Sequence, residues 1–91
     1  MAGVPLNRMP TCVFVLYSIH NVMKAEKILK QRGIAFDTIP VPKEISSDCG
    51  MALMVARHDR GSITRILEEH GLDIKGIYLK TEDGYKEMAH G

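Results

Sequence analysis

Ninety-one residues, 45% of them hydrophobic and 25% charged, are enough for one globular domain with a modest core. A formal net charge of +1 removes any global electrostatic case for nucleic acid or an anionic membrane, and three Tyr, two Phe and no Trp are thin material for stacking bases. No apolar run approaches the roughly 18 residues of a membrane span.

Residues 1–10 hold Pro5, Pro10 and Gly3 without periodicity, and read as a flexible arm with no apolar stretch of the signal-peptide kind. Cys12-Val13-Phe14-Val15-Leu16-Tyr17 is a continuous apolar run rich in β-formers, as in a strand buried on both faces. Ser18 is placed to cap a helix. In that helix Val22, Ala25, Ile28 and Leu29 share one face, and Lys24, Lys27 and Lys30 lie away from it. Gly33 stops it. Ile34 to Val41 reads as a second strand, which Pro40 and Pro42 assign to a sheet edge.

Turn chemistry follows. Pro40, Pro42, Ser46, Ser47, Asp48 and Gly50 surround Cys49. Met51 to Val55 is a third, wholly apolar strand. Asp59 or Ser62 opens a second helix with Ile63, Ile66, Leu67 and His70 toward the core, and Gly71 ends it. Leu72 to Lys80 is a fourth strand whose alternation slips phase at Lys75-Gly76, which predicts a β-bulge. Thr81 to Gly84 is a turn, and residues 81–91 form a polar tail with room for a short extra strand.

The order β-α-β-β-α-β predicts an α+β, ferredoxin-like domain over residues 11–80. Its sheet has four antiparallel strands in the order 4-1-3-2, with both helices on one face. Two helices cover only one face, yet both central strands are apolar at every position. The second face therefore needs a cover, either a homodimer partner packed sheet to sheet or the terminal arms.

That topology gathers Ser18, His20, Asn21, Lys43, Glu44, Cys49 and His70 at one rim. Cys49 falls near the start of the first helix, where the macrodipole favours an anion and lowers a thiol pKa. Asp48 beside it acts in the opposite direction. Cys12 starts the first strand and belongs to the other rim, roughly 20 Å away, too far for a disulfide. Two cysteines so placed fit a reducing, cytoplasmic setting. No Cys and His show metal-ligand spacing, so no metal is expected; a Cys49/His20/His70 set is the weighed exception.

The stretch from Phe14 to Lys30, with Tyr17-Ser18-Ile19-His20-Asn21, then Gly33-Ile34, then Ile39-Pro40-Val41-Pro42-Lys43-Glu44-Ile45-Ser46-Ser47-Asp48-Cys49-Gly50, resembles the putative selenium/sulfur (Se/S) carrier protein-like family. The resemblance covers about Val13 to Leu79. It implies a carrier, rather than a turnover enzyme, that holds sulfur or selenium on Cys49 as a persulfide or selenopersulfide, with no resident cofactor. A donor of the cysteine desulfurase or selenocysteine lyase type and a biosynthetic acceptor would be its partners. The supporting candidates are His20, either a polar first-turn residue or a thiolate partner; Ser46, Ser47 and Asp48, turn formers first and a cradle for the terminal anion second; Lys43, either solvated or turned toward an anionic cargo or acidic donor; and Ser18 and Gly50.

The competing reading is a non-catalytic protein-interaction or ligand-sensing module, a common use of such folds. A thiol–disulfide oxidoreductase is disfavoured by the lack of Cys-x-x-Cys and the distance of Cys12.

Overall fold

The protein is described by a computed structural model covering residues 5–47 and 50–88. Its elements run β1 (Thr11–Leu16), α1 (Ile19–Gln31), β2 (Phe36–Pro40), β3 (Met51–Ala56), α2 (Arg60–Glu69), β4 (Ile74–Thr81) and β5 (Gly84–Met88). All strand pairs are antiparallel, in the order β2-β3-β1-β4-β5.

The class is α+β, but the expected four-stranded, 4-1-3-2 ferredoxin-like sheet is corrected to five strands. The added strand, β5, pairs with β4 from Thr81↔Gly84 to Ile77↔Met88. Its turn is held by Thr81, whose Oγ1 accepts from the Asp83 amide at 3.3 Å and donates to the Gly84 carbonyl at 3.1 Å. Only Tyr85 and Met88 in β5 are large and apolar, and they join clusters on opposite faces of the sheet. Backbone pairing and turn chemistry make this strand, so no apolar alternation announces it.

Every residue of β1 is buried, because β1 lies between β3 and β4 and is covered on both faces. Cys12, Phe14 and Leu16 point to one side and meet Val22, Ala25 and Leu29 of α1 with Ile63 and Leu67 of α2. Val13 and Val15 point to the other side with Ala52. Both helices thus pack on a single face.

Both helices end alike. Gly33 and Gly71 take positive φ of 69° and 70°, which a side chain disfavours. The Ile34 amide reaches the Leu29 carbonyl at 3.0 Å, and the Leu72 amide reaches that of Leu67 at 2.9 Å. These are Schellman closures, and each carries an apolar residue back onto the core. His70 departs from its expected core position. It is exposed, and its Nδ1 donates to the Ile66 carbonyl at 2.8 Å, which helps close α2.

The second face carries a smaller apolar cluster of its own. Val13 and Ala52 have no accessible surface, and Ile39, Val41, Ile45, Met54, Tyr78 and Tyr85 pack around them. Ile45 reaches that position because residues 42–46 fold back, with the Ile45 and Ser46 amides both donating to the Pro42 carbonyl at 2.9 and 3.2 Å. At the opposite rim, a short 3-10 turn at Leu6–Arg8 precedes β1, and the Pro10 carbonyl accepts from Arg57 at 2.9 Å. No helix among the described residues is long and apolar enough to cross a membrane.

Candidate functional site

A cleft of about 550 Å³ opens where β1 ends, α1 begins and the β2–β3 connection returns to the sheet. Tyr17, Ser18 and Ile19 line it from the β1–α1 junction, Val41, Ser46 and Gly50 from the connection, Met51 from the start of β3, and Lys75 from β4. The sequence accounts for each wall. Ser18 leaves the strand in an extended conformation, and its Oγ accepts from the Asn21 amide at 3.1 Å, so α1 starts at the cleft. The first backbone bond of the helix, Val22 to the Ser18 carbonyl at 3.2 Å, begins beyond Ile19 and His20, whose amides precede the ladder.

The connection is pinned at its base by the Val41 amide, which donates to the Gly50 carbonyl at 3.0 Å and extends the β2–β3 ladder by one step.

Lys75 arrives through the bulge. Val15 pairs with Gly76 and Leu16 with Ile74, so Lys75 is the extra residue on β4. The phase slip in the sequence located this irregularity; what it did not supply was the direction. A bulge re-aims the side chain it releases, and here that brings a lysine to the cleft.

Of the residues singled out from sequence, Ser18, Ser46 and Gly50 share this cleft. His20, Lys43 and Ser47 are exposed and are not among its lining residues, and neither are Asn21 and Glu44. His70 lines a separate groove with Lys24, Lys27, Ile28 and Leu72. Asp48 and Cys49 lie outside the described residues. Among those described, no group of three or more His, Cys, Asp or Glu could hold a metal ion.

Cys12 is fully buried, and burial pushes its thiol up to about 11 despite the opposing pull of Arg60 and Arg57. It is a small core hydrophobe, not a nucleophile. A measurable consequence follows from the sign. The folded chain keeps this proton when the unfolded chain releases it near the ordinary value of 9.0. The stability it contributes is whole below that pH and is lost as pH rises toward 11, by about 3 kcal/mol. Urea unfolding should show wild type losing stability relative to Cys12→Ala across that window. A difference that stays constant with pH would contradict the assignment.

The family model described as putative Se/S carrier protein-like matches residues 11–79. The match runs from the start of β1 nearly to the end of β4 and includes both helices and the whole cleft. No curated protein and no solved structure matches the chain significantly.

Proposed function

The chain belongs to the putative Se/S carrier protein-like family, and from that membership we propose that it carries sulfur or selenium on Cys49 and passes it to an acceptor protein. The observation that supports the reading is the cleft, which Val41, Ser46 and Gly50, neighbours of Cys49 in sequence, line together with Ser18 and Ile19 at the start of α1. A helix start stabilises negative charge nearby, and a thiolate is the reactive form of cysteine. Ser18, Ser46, Gly50 and Lys75, which line the cleft, are the groups that would face a terminal sulfur or selenium anion.

The transfer balances without an external oxidant. The Cys49 thiolate attacks the terminal chalcogen of a donor persulfide or selenopersulfide. A new bond forms from Cys49 Sγ to that atom, the donor's own bond to it breaks, and the donor leaves as a thiolate. The acceptor repeats the exchange in the outward direction. A second thiol close by would expel the cargo as a disulfide. Cys12, buried in β1, is unsuited to that role.

The test is loading. Incubated with a cysteine desulfurase and cysteine, or a selenocysteine lyase and selenocysteine, the protein should gain the mass of one sulfur or selenium atom, lost again on reduction. Absence of any adduct with either donor would favour the interaction-module reading.

A further inference from the structure

We propose that the outward face of α1 docks an acidic segment of a partner protein that carries an apolar anchor, beside the cleft. The partner's role as donor or acceptor rests on the carrier reading; the docking face itself rests on the following observations.

Among the described residues, the large hydrophobic side chains left exposed are Tyr17, Ile19 and Met23, at 66%, 55% and 61%. They fall within one short stretch at the β1–α1 junction, and Tyr17 and Ile19 also line the cleft. At 100° per residue, Ile19, Met23, Lys27 and Lys30 lie within about 80° of one another on α1. An apolar end at the cleft thus continues into a basic stripe.

Charge segregation decides the occupant. Lys24, Lys27, Lys30 and Arg32 are all exposed and make no ion pair among the described residues. The acid of this helix, Glu26, accepts a hydrogen bond from Thr38 Oγ1 of β2 and so is engaged at the sheet. Beside the stripe, Lys24, Lys27 and Ile28 of α1 line a groove of about 290 Å³ with His70 and Leu72, so two cations and two aliphatic side chains share it. Such a face complements carboxylates around a hydrophobic side chain. It opposes a second copy, because a two-fold contact would set the lysines against each other. It is also a poor membrane face, since its apolar part is limited to one end.

The probe is a synthetic helix-forming peptide with two leucines spaced i, i+4 among glutamates, compared with the same peptide carrying glutamine for glutamate. Amide shift mapping should show saturable binding at Tyr17 to Arg32, weakened by salt and by the glutamine exchange. Met23→Glu, and the triple variant Lys24→Glu, Lys27→Glu, Lys30→Glu, should each lower affinity about tenfold or more while circular dichroism is unchanged. Equal binding of both peptides, binding of neither, shifts centred elsewhere, preferential binding to phosphatidylglycerol vesicles, or a dimer formed through α1 would each overturn the proposal.

Loading of Cys49 from a small-molecule persulfide needs no docking and reports on the carrier reading separately. Peptide binding without loading retires the carrier reading and keeps the docking face. Loading without peptide binding does the reverse.

Discussion

Phe14→Ala is expected to destabilise the fold by about 3–5 kcal/mol, the largest loss of any single core truncation here. Phe14 has no accessible surface and is among the largest of the fully buried side chains. It sits on the central strand with Leu53 of β3 on one side and Ile77 of β4 on the other. Above it lie the buried residues of both helices. Truncation there opens a cavity where a strand and two helices converge, so the walls have little freedom to collapse. For a chain of this size the whole folding free energy is about 5–14 kcal/mol, so the variant approaches the threshold of unfolding. Thermal unfolding should move down by roughly 15 °C or more. Met23→Ala, at an exposed site, should move it by little. A loss for Phe14→Ala below about 2 kcal/mol would show that this side chain is not the junction of sheet and helices.

Sequence pattern carried a good part of this architecture, and the reasons differ by element. β1 and β3 were legible because a strand buried on both faces must be apolar throughout, and little else in a short chain produces such runs. The helix ends were legible because Gly33 and Gly71 follow the last apolar positions, and a left-handed residue is what closes a helix onto its next segment. The bulge at Lys75 was legible as a change of phase.

The fifth strand was not, for the opposite reason. β5 has one apolar contact on each face, and its existence depends on main-chain pairing that any sequence of suitable twist can make. As an optional strand in the 81–91 tail, it was not counted in the four-stranded sheet. The composition of the apolar cluster on the second face was hidden in a similar way. That cluster draws on Ile45, which returns from the β2–β3 connection, and on Tyr78 and Tyr85 of β4 and β5, around Val13 and Ala52. Pattern reading sees spacing along the chain, and it does not see which loop folds back.

The site divides along the same line. Ser18 was assigned to this rim by topology, since strand order decides which rim a junction occupies, while Ser46 and Gly50 entered as turn residues around Cys49. Lys75 was missed as a site residue because its place depends on the aim of a bulge. His20 and Lys43 were assigned to the same rim by topology, and neither lines the cleft, because strand order fixes the rim but not which side chains turn inward there.

Cys49→Ser is expected to abolish chalcogen loading entirely, with the fold unchanged. Serine preserves the shape and polarity of the residue, but its hydroxyl cannot form the S–S or S–Se bond that holds the cargo. The other cysteine offers no substitute, since Cys12 is buried with its thiol pushed up to about 11. Loading should therefore drop to background and not to a fraction.

Where the atom resides is the most direct test, and trypsin separates the two candidates. Cys12 lies on the fragment from Met9 to Lys24, and Cys49 on the fragment from Glu44 to Arg57. After incubation with a desulfurase and cysteine, alkylation and digestion, the added sulfur should be found on the Glu44–Arg57 fragment alone, and it should disappear when an acceptor thiol is supplied. Sulfur on the Met9–Lys24 fragment, or equal labelling of Cys49→Ser and wild type, would contradict the assignment of Cys49 as the carrier.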